Sequence, residues 1–478
     1  MLQFVQIVPF IWNQGGSRMR IAVVGMNVIG LTTGAGFAEL GHYVECYDQD
    51  AGHIDRLANG VIEFREPGLE PLVIRNARAG RLCFRTEQEL PNSDAEVFFL
   101  TVGTPSGDDG NVQLGQLWTA VDRLPEWREG GKRIVVVKSA VPVGTSDRVE
   151  SRLRRRLSAD CEFGVASLPE FSREGTAVRD FFEPSHIVIG SNDDDTAERL
   201  RLLHGRFSAP ILGTDRRSAE LGKLAANGYL AVKLSYANEI AALAEQTGAD
   251  YPAIERMLGL DPRIGPLYLG AGLGFGGPNV PKDARSLVRM AEGAGAPQTL
   301  LAAALRANAM LPMRLVRKLE AALSGPSRRR VALLGVAFKA GSEEMREAPS
   351  IRLATELLRR HSGIQLTAYD PSAGETARQA LPNAVQLCET AEEALRGADA
   401  AILVTEWPEF RRIAPDKFKS WMRRPIILDG RNALDSVMLN SQGVVCIGVG
   451  RLPESRAVPF DLSSPFESQT PSTNEPTG

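Results

Sequence analysis

Two stretches far apart in this chain follow the same local plan, and that repetition restricts the fold more than any other feature. The run Arg20-Ile21-Ala22-Val23-Val24 is apolar and β-branched, and it ends in Gly25-Met26-Asn27-Val28-Ile29-Gly30. A small-residue stretch of helical character follows to Leu40, and a second strand, Tyr43-Val44-Glu45-Cys46-Tyr47, delivers Asp48. Later, Arg330-Val331-Ala332-Leu333-Leu334 ends on Gly335, a helix is predicted near 350–360, and Leu366-Thr367-Ala368-Tyr369-Asp370 closes the unit. Tyr47-Asp48-Gln49-Asp50-Ala51-Gly52 and Tyr369-Asp370-Pro371-Ser372-Ala373-Gly374 read as counterparts. A strand, a Gly turn, a helix and a second strand make a βαβ unit, whose strands lie parallel. Apolar runs at 96–102, 133–137 and 186–189 extend the first sheet, and those at 400–404 and 425–429 extend the second. Continuous apolar strands suit a parallel sheet covered on both faces. The expectation is an α/β chain with two Rossmann-like, doubly wound domains, the second without a full phosphate fingerprint.

At 478 residues there is enough chain for two or three separate cores. A net charge of −3 provides no basic field, so neither nucleic acid nor a membrane surface is expected as a partner. The five cysteines (Cys46, Cys83, Cys161, Cys388 and Cys446) are odd in number and scattered, with no CxxC pair. They indicate no disulfide framework and no metal site, and they suit a reducing cytoplasm. No apolar run reaches the roughly 18 residues a membrane helix needs. Residues 1–12 are fairly apolar, yet no basic segment precedes them and no small-residue cleavage site follows, so 1–18 read as an extension rather than a signal peptide. Residues 463–478 are rich in Ser, Pro, Thr and Glu with little to bury, and a disordered tail is expected from 456.

The middle of the chain has a different character. Residues 218–247 are rich in Ala and Leu and lack Pro. A helix of about 30 residues would be about 45 Å long, more than one small domain can enclose. It suits a connector between domains or the seam of a dimer. The expected division is 19–212 for a dinucleotide-binding domain, 213–320 for a central helical dimerisation domain and 321–455 for the second Rossmann-like domain.

The first Gly turn carries most of a GxGxxG dinucleotide motif. In that motif the first Gly makes the tight turn, the second lets backbone approach the pyrophosphate, and the third lets helix pack on strand. Gly25 and Gly30 fill the outer positions, Asn27 holds the middle one, and Val28 and Ile29 complete the turn. Asn accepts positive φ better than other non-Gly residues, so the turn can persist, although the side chain intrudes where phosphate should pass. Asp48, after the second strand, would accept hydrogen bonds from the adenosine ribose and repel a 2′-phosphate. NAD is therefore the expected cofactor.

Further motifs occur in order along the chain. They include Glu66-Pro67-Gly68-Leu69, Val102-Gly103-Thr104-Pro105 with Asp109-Gly110, and Lys138-Ser139-Ala140-Val141-Pro142-Val143-Gly144-Thr145. Leu168-Pro169-Glu170-Phe171-Ser172-Arg173-Glu174-Gly175, Lys223-Leu224-Ala225-Ala226-Asn227 and Asp261-Pro262-Arg263-Ile264-Gly265 follow. Gly272-Leu273-Gly274-Phe275-Gly276-Gly277-Pro278-Asn279-Val280-Pro281-Lys282-Asp283 is the most specific, and it resembles the GxGFGGSCFPKD signature of the UDP-glucose/GDP-mannose dehydrogenase family. Gly335-Val336-Ala337-Phe338-Lys339, Arg346-Glu347-Ala348-Pro349, Thr405-Glu406-Trp407 and Asp429-Gly430-Arg431-Asn432 extend the resemblance to about residue 453.

The resemblance implies NAD-dependent oxidation of a nucleotide sugar at C6, with UDP-glucose favoured. It places Lys223 and Asn227 at the sugar's C6, where Lys stabilises a developing alkoxide and Asn holds a hydroxyl. Asp283 becomes the partner of a catalytic water, and Glu170 and Glu174 line the same pocket. Thr104, Glu174, Lys282 and Arg346 join the turn residues as cofactor contacts. Phe171, Tyr268 and Gly276 fall among the substrate contacts, and Phe338, Lys339 and Arg431 grip the uridine and diphosphate side. Arg263 resembles an arginine that reaches the sugar of a neighbouring subunit, which implies a homodimer. The chain departs from the pattern at Asn27, Ala140, Leu168 and Asn279. Asn279 stands where the family has the Cys that carries the second oxidation as a thioester, and an amide nitrogen cannot replace a thiolate. Two functions follow: a dehydrogenase that oxidises C6 and either stops at the 6-aldehyde or oxidises the hydrated aldehyde directly, or a catalytically impaired nucleotide-sugar-binding homologue or partner of an active paralogue.

Overall fold

The computed structural model describes residues 18–107, 110–127, 131–323 and 329–451. The expected extension (Arg18 apart), the expected tail and Asp109 lie outside the described residues. The chain divides into two compact units. One takes the chain through Ala231 together with Gly277–Ala302 and Lys339–Glu344. The other takes Val232–Gly276, Ala303–Phe338 and the chain from Met345 on.

The first unit holds strands β1 (Arg20–Val24), β2 (Tyr43–Asp48), β3 (Leu82–Thr86), β4 (Val97–Leu100), β5 (Arg133–Val137), β6 (Phe163–Ser167), β7 (Ile187–Ser191) and β8 (Ile211–Thr214). They form one sheet in the order β3-β2-β1-β4-β5-β6-β7-β8. The first six follow the strand order of a dinucleotide-binding fold, with the reversal at β1 and β4. The period-2 alternation of strand side chains explains why these strands are apolar throughout. Ile21 and Val23 pack into one core with Leu31, Phe37 and Phe99, while Ala22 and Val24 pack into the opposite core with Phe98 and Leu100. A wholly parallel sheet was expected, but β7 runs antiparallel to β6, through Ala166↔Ser191 and Ser167↔Gly190. The intervening chain contains one short helix, Ala177–Phe182, and leads into β7 antiparallel to β6. It therefore re-enters at the end where β6 finished.

The second unit holds β9 (Arg330–Leu334), β10 (Gln365–Tyr369), β11 (Val385–Leu387), β12 (Ala400–Leu403), β13 (Ile426–Asp429) and β14 (Val445–Gly448). Their order, β11-β10-β9-β12-β13-β14, repeats the first plan, and every pairing is parallel. The long helix spans Arg216–Thr247, 32 residues or about 48 Å at 1.5 Å per residue. The boundary between the units falls inside it, so this one helix joins the two Rossmann-like folds.

Candidate active site

The crevice outside the carboxyl ends of β1 and β4 is where such a sheet takes a ligand, and the Gly turn stands there. Gly25 has φ +100°, and a Cβ on it would lie 2.7 Å from Val102 Cα. A Cβ on Gly30 would lie 1.7 Å from the Gly25 carbonyl oxygen, so α1 (Val28–Glu39) approaches β1 as closely as a third motif glycine allows. Asn27 departs from expectation: its backbone is extended, at φ −73° and ψ −177°, rather than left-handed. The position is the N-cap of α1, and an N-cap residue is normally extended. Its Oδ1 accepts from Ile29 N at 3.0 Å and Gly30 N at 3.2 Å, and its Nδ2 donates to Thr101 O at 2.6 Å.

Asp48 ends β2 with its carboxylate turned toward the same loop. Oδ2 accepts from Met26 N at 2.7 Å and Oδ1 from Asp50 N at 3.0 Å. Its counterpart Asp370 is more heavily committed. Asp370 accepts from Val336 N, Ala337 N, Trp407 Nε1, Ser372 N and Ala373 N, and it is buried. A carboxylate has about four lone-pair sites, so Asp370 is saturated whereas Asp48 retains capacity for a ribose. The first unit therefore fits a dinucleotide in its turn, helix packing and acidic residue, with Asn27 as the one group in the path.

A polar cluster lies in the same unit. The long helix carries Lys223 and Asn227 one turn apart, with Lys223 Nζ at a long 3.5 Å from Asn227 Oδ1. Asn227 Nδ2 donates to Asp283 Oδ2 at 2.6 Å. Asp283 belongs to the helix Val280–Gly293, whose start at Pro281 buries Lys282 and Asp283. The other Asp283 oxygen, Oδ1, lies 3.0 Å from Lys282 Nζ but has no aligned hydrogen-bond donor. Lys282 Nζ donates to Thr104 Oγ1 at 3.1 Å, and Thr104 Oγ1 to Ala140 O at 2.9 Å.

The electrostatics separate the two ends of this cluster. Burial pushes the Lys223 ammonium below its ordinary pKa, against the opposing pull of Asp283 and Glu170. The ammonium also lies 5.0 Å from the Phe171 ring centroid. Burial alone would raise Glu170, but Lys138 Nζ at 2.7 Å from its Oε2 and the Ser172 N–H more than offset this and hold the carboxyl below its usual range. Glu174 contributes its carbonyl to Lys339 Nζ at 2.7 Å. Asn279 is exposed at the N-cap of the helix that carries Asp283, and its side chain makes no capping hydrogen bond.

Six predicted contacts lie in the second unit. Arg431 donates through Nε to Val404 O at 2.7 Å and through its two terminal nitrogens to Gly274 O and Phe338 O, each at 3.3 Å. A Cβ on Gly276 would lie 2.3 Å from Glu347 O, so backbone meets backbone there. Tyr268 is exposed with φ +61°, and Arg346 is exposed. Arg263 points into solvent, paired with Asp261 at 2.6 Å.

Three supporting residues carry no role in the sequence reading. Lys138 fixes Glu170. Buried Glu66 accepts from Gly175 N at 2.6 Å and Ala177 N at 2.8 Å, pinning the loop that bears Glu174. Glu220, on the long helix, accepts from Gly144 N at 2.6 Å, Ser146 N at 2.8 Å and Ser146 Oγ at 2.7 Å. Glu66 and Lys138 stand inside the quoted motifs, which was the available signal; nothing local marks Glu220.

A duplicated strand order, one dinucleotide turn complete but for Asn27, and a lysine–amide–carboxylate cluster define an α/β oxidoreductase of the NAD-dependent kind with two Rossmann-like folds. The NAD binding domain of the UDP-glucose/GDP-mannose dehydrogenase family matches residues 19–208, its central domain 217–310 and its UDP binding domain 332–436, and the chain belongs to that family. It is 40% identical to the UDP-glucose 6-dehydrogenase YwqF of Bacillus subtilis over 433 residues, covering 91% of this chain and 98% of that protein. It is also 40% identical to the UDP-glucose 6-dehydrogenase of Pseudomonas aeruginosa over 446 residues, with 91% and 98% covered. Among solved structures, a UDP-glucose dehydrogenase from Pyrobaculum islandicum superposes with a TM-score of 0.84 at 35% identity, covering 92% of this chain and 100% of that one. A UDP-D-ManNAc dehydrogenase from Pyrococcus horikoshii gives 0.79 at 28%, covering 91% and 99%.

Proposed function

We propose that this chain oxidises the C6 hydroxyl of UDP-glucose with NAD as hydride acceptor, and that it stops at the 6-aldehyde or its hydrate. The observation that carries the reading is the Lys223–Asn227–Asp283 chain of contacts. A half-buried lysine whose ammonium is desolvated enough to lower its pKa, next to a buried amide and carboxylate, can stabilise charge developing on an alcohol oxygen and take part in proton transfer. The Asp283 oxygen without an aligned donor is where a water would complete the network. Glu170, held ionised by Lys138, supplies a second carboxylate on the Phe171 side. Bound NAD would supply the hydride acceptor, held by the Gly25–Gly30 turn and Asp48, with Thr104, Glu174, Lys282 and Arg346 as further contacts.

Asn279 limits the reaction. The first hydride transfer needs no covalent intermediate, whereas the thioester route of the second needs a thiolate. UDP-glucose is favoured because both relatives at 40% identity bear that substrate in their names. UDP-D-ManNAc is the second candidate, from the Pyrococcus horikoshii structure. Phe338, Lys339 and Arg431 form the nucleotide end of this reading, with Tyr268 and Gly276 as further contacts. The Arg431 guanidinium is already fixed by three carbonyls, the preorganisation such a role requires. Residues 213–320 would form a homodimer seam. Its support is the exposed, heptad-like stripe Leu221, Tyr229, Tyr236 and Leu243 on the long helix. Five cysteines outside any disulfide fit a reducing, cytoplasmic setting.

The test is product mass together with NADH formed per sugar, for UDP-glucose and UDP-D-ManNAc. One NADH per sugar and a 6-aldehyde are expected from wild type, and Asn279→Cys should raise the ratio toward two. Rapid uronic acid formation by wild type would refute the stop at the aldehyde. No turnover with either sugar, with binding retained, would favour the impaired-homologue reading.

A further inference from the structure

The start of α1 is already occupied by the chain itself. The first N–H groups of a helix lack intrahelical partners, and these are the groups a phosphate takes at a dinucleotide turn. Here Ile29 N and Gly30 N are given to Asn27 Oδ1. The other end of the same amide is tied to Thr101 O, at the end of β4. Thr101 Oγ1 in turn accompanies the turn by donating to Val24 O and Gly25 O, each at 2.8 Å. The Asn27 side chain therefore bridges helix and sheet across the place a pyrophosphate would enter. At φ −73° the backbone of residue 27 makes no demand for glycine. What a glycine would provide at this position is the absence of a side chain.

We propose that Asn27 is an internal cap that competes with the cofactor's pyrophosphate for the Ile29 and Gly30 N–H groups, so that its side chain must leave as NAD binds and thereby sets a weak cofactor affinity. The proposal rests on the reading that this turn takes NAD. It makes apo stability and cofactor affinity move in opposite directions, which neither simple steric bulk nor a purely structural cap would do. It also confines the effect to ligands that carry the pyrophosphate.

The experiment is calorimetric binding of NAD, ADP-ribose and adenosine to the full chain as wild type, Asn27→Ala, Asn27→Gly and Asn27→Ser, with melting curves of each apo protein. Removing a cap is expected to tighten NAD and ADP-ribose by about fivefold in Asn27→Ala and Asn27→Gly, to leave adenosine unchanged, and to lower the apo melting temperature. Asn27→Ser keeps an acceptor for the same N–H groups and should stay near wild type in both respects. ADP-ribose affinity that is unchanged or weaker in the Ala and Gly variants, despite lower apo melting temperatures, would overturn the proposal. So would adenosine tightening as much as ADP-ribose. If none of the proteins bound NAD, ADP-ribose or adenosine, the cofactor reading of the turn would fall, and the proposal with it.

Discussion

Glu220→Ala should be among the most damaging single changes outside the polar cluster. The carboxylate is 2% exposed and accepts from Gly144 N, Ser146 N and Ser146 Oγ. It thus caps the helix Thr145–Arg156 from a neighbouring element. Alanine leaves the buried Ser146 N–H and the half-buried Gly144 N–H without an acceptor, at about 1–3 kcal/mol each and less for the second. Burial raises the pKa of Glu220, so removing the carboxyl also recovers some desolvation, and the net loss should be about 3 kcal/mol. Glu220→Gln keeps one acceptor oxygen but turns an NH2 toward a donor, and should cost about 1–2 kcal/mol. Urea unfolding followed with amide exchange over residues 139–156 measures both. Exchange at Gly144 and Ser146 should speed up first, because their N–H groups lose their partner directly. A loss below about 1 kcal/mol, with exchange at those two amides unchanged, would show that the cap is dispensable and the reasoning wrong.

Three other outcomes are expected. Asp48→Ala should weaken NAD about tenfold, the worth of a lost charged hydrogen bond, and should erase the preference for NAD over NADP; equal affinity of wild type for the two cofactors would refute the role of Asp48. Tyr236→Arg, in the middle of the exposed stripe, should shift sedimentation toward the monomer, and Arg263→Ala should raise KM for the nucleotide sugar without lowering Tm; a strictly monomeric, fully active wild type would contradict both. His42 and His204 are each pushed down to about 4 from 6.5, chiefly by burial, with Arg206 adding to the shift at His42 and a hydrogen bond to Leu200 O opposing it at His204. The unfolded chain therefore binds more protons than the folded one between those values. Stability is complete above pH 6.5 and falls toward pH 4, by about 2 kcal/mol per histidine at pH 5. Calorimetric Tm values from pH 7.5 to 5 should flatten in His42→Gln, and an unaltered profile would rule that histidine out.

The elements that could be read in advance were those with a local signal. Residues 133–137 form β5 as expected because a buried strand is a run of neighbouring apolar residues. The long helix begins at Arg216 rather than at 218 because helix ends depend on what meets them. The duplicated turn, with its glycine at Gly25 and its acid at Asp48, was also visible, since both act within one βαβ unit. Residues that act through distant partners were not. Asn27 is extended as an N-cap, and its amide also reaches Thr101, 74 residues on, a contact with a carbonyl so far away that it leaves no mark on the local pattern. Asn227 and Asp283 meet across 56 residues, and Glu66 and Gly175 across 109. The reversal of β7 has the same origin, because strand direction depends on where a connection re-enters the sheet. Sequence by itself determined the βαβ units, the long helix and the types of residue available for chemistry, because periodicity and turn chemistry act between near neighbours. Tertiary structure alone decided which carboxylate meets which donor, and how strongly burial shifts it, because desolvation and hydrogen-bond partners exist only once the chain has closed on itself.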